Sequence, residues 1–161
     1  MSTKVRDSVV IELPRFNDER GFFEELYSLK RLPNFSCMQV NCSRSKKNVL
    51  RGMHITPFSK LVHCVKGRIF DVVADMRKDS ETYLRWHGVE LTEDNRLSLY
   101  IPSNCAHGFL ALEESIVVYA QDGLYDPKIE SSVHYASLGI DWPGTDFIVS
   151  EKDAKAKPLY D

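Results

Sequence analysis

Two histidines interrupt apolar, strand-like runs: His54 in VLRGMHI (residues 49–55) and His107 in IPSNCAHGFLAL (residues 101–112). Arg51 and Lys60 flank the first, and a PSN turn and Gly108 surround the second. Histidine titrates near neutral pH, so either imidazole is suited to take or give a proton. If His54, Lys60 and His107 face one interior, three basic groups meet there, at a cost that only a partner offsets. An anionic or enolisable ligand is such a partner. A single buried histidine is more often a hydrogen-bonded core residue, and that bland reading holds for His63, His87 and His134. Arg20 and Arg51 have the alternative of surface ion pairs, and the GFF stripe at residues 21–23 that of core packing.

Metal binding is the competing chemistry. His54 is followed by Ile55, Thr56 and Pro57, so no H-x-H pair forms, and Lys60 is a poor ligand because its ammonium repels a cation. A catalytic metal wants three protein ligands, and the sequence does not assemble them. The site is expected to be metal-free.

The elements that must position these groups are short strands. Alternating or β-branched runs recur as SVVIEL, CMQVNCS, NVLRGMHI, KLVHCVKG, RIFDVVADM, RWHGVEL, LSLYIP, GFLAL and SIVVYAQ, separated by turn signals such as VKGR, RKDSE, TEDN and PSN. This pattern predicts an all-β barrel or sandwich with no βαβ units. One or two short helices are expected: EELYSLKRL (24–32), ahead of Pro33, and a second after Ser150, where SEKD has the form of a helix start. Strict alternation puts Leu50, Gly52 and His54 on one side of their strand and Arg51, Met53 and Ile55 on the other. It also sets Lys60, Val62 and Cys64 on one face, opposite His63.

Composition bounds the function. The 161 residues fit a single domain, 1–161, with 43% hydrophobic and 27% charged residues. A formal net charge of −2 argues against a nucleic-acid binder but leaves room for small anions held by local arginines. No apolar run reaches the length of a membrane span, and MSTKVRDS lacks the apolar stretch of a signal peptide. Cys37, Cys42, Cys64 and Cys105 form no C-x-x-C pair and read as reduced core residues of a cytoplasmic protein.

DERGFFEEL, NCSRSKKNVLRGMH, KLVHCVKGRIFDVVADMRKDSETY, IPSNCAHGFLAL, YAQDGLYDP, GIDWP and VSEKD follow one another in the order expected of the dTDP-4-dehydrorhamnose 3,5-epimerase family. The chain resembles that family from about residue 8 to residue 153. The resemblance implies a cupin-type jelly roll, a homodimer that exchanges N-terminal strands, no metal and no cofactor. It implies inversion of C3 and C5 of a nucleotide-linked 4-keto-6-deoxy sugar in deoxysugar biosynthesis. By the same resemblance His54 is the base, Lys60 and His107 bracket the keto oxygen, and Tyr119 is the proton donor on the opposite face. Arg20 and Arg51 would hold the diphosphate, Phe23, Glu25, Gln39 and Asn41 match nucleotide-contact positions, and Tyr125 matches a tyrosine that stacks on the base.

Two departures bear on activity. The family's W-D/N-D-P stretch is expected to supply an aspartate to the catalytic histidine, and here Ala136 and Ser137 stand in its place. The loop after His54, ITPFS, is short and would line the sugar pocket. Alternatives therefore stay open: another nucleotide sugar such as a GDP-linked 4-keto-6-deoxyheptose, epimerisation at one carbon, a 3,4-ketoisomerase, or a non-catalytic nucleotide-sugar binding homologue. Retention of His54, Lys60 and Tyr119 together weighs against the last, since binding alone does not require them.

Overall fold

The computed structural model describes residues 1–160. Its strands are β1 (Val9–Glu12), β2 (Arg15–Asp18), β3 (Gly21–Glu24), β4 (Gln39–Ser45), β5 (Val49–Ile55), β6 (Lys60–Lys66), β7 (Arg68–Asp75), β8 (Trp86–Thr92), β9 (Leu97–Ile101), β10 (Cys105–Ala111), β11 (Ser115–Gln121), β12 (Ser131–Ser132) and β13 (Ile148–Val149). One sheet runs β1-β9-β6-β11-β4 and the other β12-β5-β10-β7-β8, with β13 added beside β5. Two facing sheets of mostly antiparallel strands make this a jelly-roll domain, as the strand-and-turn pattern predicts.

Alternation builds the core between the sheets. Val62 and Cys64 of β6, Leu99 and Ile101 of β9 and Val117 of β11 meet Ile69 and Val73 of β7, Leu91 of β8 and Phe109 of β10. The second sheet is also covered on its outer face. Val72, Ala74 and Ala106 there pack under Val133, Leu138, Tyr135 and Trp142 of the C-terminal segment. Burial on both faces explains why every residue of β10 is buried.

One of the two expected helices forms. Helix α1 (Glu151–Ala154) begins at Ser150, whose side chain accepts from the Asp153 amide. The other expectation fails: within 24–32, Glu24 closes β3 and the rest is turn and irregular chain. Its apolar residues are recruited to the outer face of the first sheet, where Tyr27 and Leu32 pack with Phe35 and Leu61. The Tyr27 hydroxyl donates to the Phe35 carbonyl. Tertiary packing overrides a modest helical propensity here.

The hairpin β2–β3 pairs with neither large sheet. Glu24 pins its base, held by Arg15 at 3.2 Å and lying 3.5 Å from the buried His63. His63 is a core residue, with Nδ1 3.1 Å from the Ser98 hydroxyl. No helix among the described residues is long and apolar enough to cross a membrane.

Candidate active site

One cavity between the sheets is lined by Arg51, His54, Lys60, His107, Tyr119 and Tyr125, with Ser43, Thr56, Phe58, Phe109, Gln121 and Glu130. Strict alternation predicts Arg51 and His54 on opposite sides, and the structure corrects this. His107 pairs with His54 and Phe109 with Arg51, so β5 spends one more residue than β10 over the same span. That bulge turns Arg51 to the same side as His54. Gly52 makes it feasible: its φ is +130°, and a β-carbon there would stand 2.6 Å from the Gly108 Cα and 2.8 Å from the His107 carbonyl.

His54 has a carboxylate partner after all. Its Nε2 lies 2.7 Å from Asp153 Oδ1, while Asp153 Oδ2 accepts from the Gly52 amide at 3.1 Å. The acid that Ala136 and Ser137 do not supply comes instead from α1, and the bulge amide orients it. Burial pushes the Asp153 carboxyl up, but the hydrogen bonds from His54, the Gly52 amide and Ser150 together hold it below the usual range. An ionised Asp153 accepts the Nε2 hydrogen and leaves the Nδ1 lone pair as the basic one.

His107 has an equivalent partner on the neighbouring strand. Its Nε2 lies 2.7 Å from Asp71 Oδ1, and Asp71 is fully buried. Burial pushes the His107 imidazole down, against the pull of Asp71, and pushes the Asp71 carboxyl up, against the pull of His107. Lys60, also buried, is lowered chiefly by desolvation, which Glu130 and Asp71 partly oppose. Desolvation likewise raises the Tyr119 phenol, so it keeps its proton at neutral pH.

The residues expected to bind the nucleotide are spread out: Arg51 and Tyr125 line the cavity, while Gln39 and Asn41 are not on its wall but bond to residues that are. On β4, Gln39 donates to Asn41 at 2.8 Å, Asn41 donates to Gln121 at 3.2 Å, and the Tyr125 amide donates to Gln39. Ser45 accepts from Arg51 Nε at 2.9 Å and so aims its guanidinium. Arg20, Phe23 and Glu25 are not on the cavity wall of their own chain. Arg20 is exposed and paired with Asp18, Phe23 is 69% exposed, and Glu25 pairs with Arg31.

Three acids in or behind the site were not singled out from sequence. Asp153 was visible only as part of a helix start. Asp71 had a readable signal, an acid at an inward position of an apolar strand. Glu130, which lines the cavity and pairs with Lys152 at 2.5 Å, had none.

A profile described as dTDP-4-dehydrorhamnose 3,5-epimerase matches residues 2–161. The chain belongs to the dTDP-4-dehydrorhamnose 3,5-epimerase family. It is 41% identical to the dTDP-4-dehydrorhamnose 3,5-epimerase of Methanothermobacter thermautotrophicus, over 99% of this chain and 93% of that one. The Salmonella typhimurium enzyme of the same name is 39% identical, over 100% and 94%. Among solved structures, the Legionella pneumophila dTDP-6-deoxy-D-glucose-3,5-epimerase in complex with dTDP-4-keto-L-rhamnose superimposes with a TM-score of 0.94 at 38% identity, covering 100% of this chain and 93% of that one. Membership also identifies the jelly roll as the cupin type.

Proposed function

We propose that the protein epimerises C3 and C5 of dTDP-4-keto-6-deoxyglucose through an enolate. The observation that carries this reading is the opposition of His54 and Tyr119. His54 rises from β5 in one sheet and Tyr119 from β11 in the facing sheet, and both line one cavity. Inversion needs removal of a proton on one face of the sugar and its return on the other. In this scheme His54 Nδ1 takes the proton α to the ketone, with Asp153 fixing the tautomer and stabilising the imidazolium. Tyr119 delivers a proton to the opposite face.

The charge that develops on the keto oxygen falls to Lys60 and His107. For His107 to donate, one proton must be held between Asp71 and Nε2, so that Nδ1 keeps its hydrogen. The upward push on Asp71 and the downward push on His107 favour that neutral arrangement. Donors preset in a dry site contribute several kcal/mol to such a transition state. Protons move but no electrons are transferred, so the chemistry requires no redox cofactor, and Lys60 and His107 fill the role a Lewis-acid metal would otherwise take.

Arg51 would bind the diphosphate, with Gln39, Asn41 and Tyr125 on the nucleotide. Arg20, Phe23 and Glu25 would reach the cavity of a second copy. In support, the hairpin pairs with neither sheet and its Phe16, Phe22 and Phe23 are exposed. The active form in this reading is a homodimer that exchanges N-terminal elements. It works in the cytoplasm, where its four free cysteines stay reduced; only Cys64 and Cys105 are the buried residues expected, since Cys42 on β4 is exposed and Cys37 half-buried.

Proton NMR of dTDP-4-keto-6-deoxyglucose in deuterium oxide, beside a His54→Ala variant, tests the chemistry. Solvent deuterium should enter at C3 and C5 with the native chain and at neither with the variant. Exchange at C3 alone would mean a single-centre enzyme. Binding without exchange would reduce the protein to a nucleotide-sugar binder.

A further inference from the structure

Among the described residues, only two on the cavity wall, Phe58 and Phe109, lack a polar side-chain atom. Phe109 pairs with Arg51 across the β10–β5 ladder, which puts it at the diphosphate end. Phe58 stands at the other end, its ring centroid 6.0 Å from Lys60 Nζ. Resting on the function proposed above, we infer that Phe58 is the specificity wall that reads C6 of the sugar, selecting a methyl over a hydroxymethyl group.

The chemistry of the sugar makes the assignment. Lys60 meets the C4 oxygen, and the carbons flanking C4 differ: C3 carries a hydroxyl, C5 a methyl. A hydrocarbon ring beside Lys60 complements the methyl and offers a hydroxyl no partner.

The wall is also built not to yield. Phe58 is 8% exposed and sits in the short turn between β5 and β6. Thr56 Oγ1 donates to the Phe58 carbonyl at 3.1 Å, and the Asn104 amide donates to the Thr56 carbonyl at 2.8 Å. On the other side the Ser59 amide donates to Asp122 Oδ1 at 2.6 Å, and the Asp122 amide to the Ser59 carbonyl at 3.2 Å. Behind the ring lies Gly123, where a β-carbon would come within 2.6 Å of the Phe58 Cδ1. The ring is therefore backed by main chain and cannot retreat to admit a larger substituent.

Calorimetric titration with dTDP-glucose and dTDP-6-deoxyglucose isolates the effect, because these 4-hydroxy ligands bind without reacting and differ only at C6. The native protein should prefer the 6-deoxy ligand by about 10–100-fold, the range for one polar group forced against an apolar wall. Phe58→Ala should bring the two affinities within about threefold of each other, chiefly by binding dTDP-glucose better. Phe58→Leu, which keeps an apolar but thinner wall, should give an intermediate ratio and carries the test if the alanine variant fails to fold. A native ratio near one, or a ratio unchanged in both variants, overturns the role of Phe58 while leaving the epimerase reading intact. If neither ligand nor dTDP itself binds the native protein, the substrate reading falls and this inference with it.

Discussion

Asp71 and Asp75 leave β7 on the same face, Asp71 between the core residues Ile69 and Val73 and Asp75 at the strand's end, and both are fully buried. Their surroundings are opposite. Asp75 is saturated: Arg77 Nε and Nη2 each donate at 2.9 Å, the Arg77 amide at 3.0 Å, and the Ser80 and Thr82 hydroxyls at 2.6 Å. Burial alone would push its carboxyl up, but these donors hold it well below the usual range. Asp71 has one side-chain partner, His107, and its Oδ2 is buried with no partner among the described residues. Burial wins there and the carboxyl rises. A carboxylate with every lone pair filled serves the scaffold. One left short is held ready for a proton. Asp153 falls between them, with one oxygen bonded to His54 and the other to the Gly52 amide, and it is built into the site.

Replacing each aspartate by asparagine sharpens this contrast, because the amide keeps the shape but swaps an acceptor for a donor. The largest effect belongs to Asp153→Asn. Its amide would donate to His54 Nε2 and force the wrong tautomer, removing the base. Activity in the exchange assay should fall by about 10³–10⁴-fold, as for the aspartate of a catalytic triad, with the fold retained by circular dichroism. A fall of less than tenfold would mean that Asp153 merely ties α1 to β5. Next comes Asp75→Asn, which breaks the buried end of the Arg77 pair and sets an amide against the Ser80 and Thr82 donors, although Asp7 still neutralises Arg77. A cost of about 3 kcal/mol is expected, a drop of roughly 10 °C in melting temperature for a chain of this size. The kcat of the folded fraction should be unchanged.

Much of this was legible in the sequence, for a physical reason. Period-two alternation and turn chemistry gave nine of the strands, and His54, Lys60, His107 and Tyr119 converge because each occupies an inward position of one of them. What was not legible depends on events outside the local pattern. The bulge that unites Arg51 with His54 had a cue, a glycine inside a strand run, but its direction depends on β10. Asp153 is far from His54 in sequence, and only the docking of α1 against β5 joins them. The 24–32 segment misled because its apolar residues serve a sheet face instead of a helical stripe.

Smaller effects separate the two β7 aspartates more finely. Asp71→Asn should be tolerated, because an amide donating to His107 Nε2 reproduces the neutral pair and keeps Nδ1 protonated. Activity within about tenfold of native is expected, whereas Asp71→Ala, which removes the partner, should lose on the order of 10–100-fold. Loss of activity in both variants alike would show that His107 works as half of an ion pair. The pH dependence of stability gives the same contrast with opposite signs. Asp75 has a folded pKa below its unfolded value of 3.8, so its contribution is fully present above that pH and is lost as the pH falls towards the folded value. Asp71 has a folded pKa above 3.8, so it destabilises increasingly as the pH rises from 3.8 through the folded value. Urea titrations from pH 4 to 7 should therefore show Asp71→Asn gaining stability on the native chain as pH rises, while Asp75→Asn stays below it throughout.

The smallest effect falls on the other under-satisfied group. Ser43 lines the cavity from β4, opposite the apolar Val117, and its buried hydroxyl has no partner among the described residues. On either side of it along the inward face, Asn41 is bonded to Gln121 and Ser45 to Arg51. If a shortfall marks a ligand-facing group, Ser43→Ala should leave the melting temperature of the free protein unchanged or slightly raised, because it deletes an unmet polar group. It should weaken dTDP binding by about 3–10-fold through the lost hydrogen bond. Calorimetry with dTDP, beside a thermal melt of the free protein, measures both. A variant that melts lower yet binds dTDP as tightly as the native chain would break the rule drawn from Asp71, because the hydroxyl would then be serving the barrel and not its ligand.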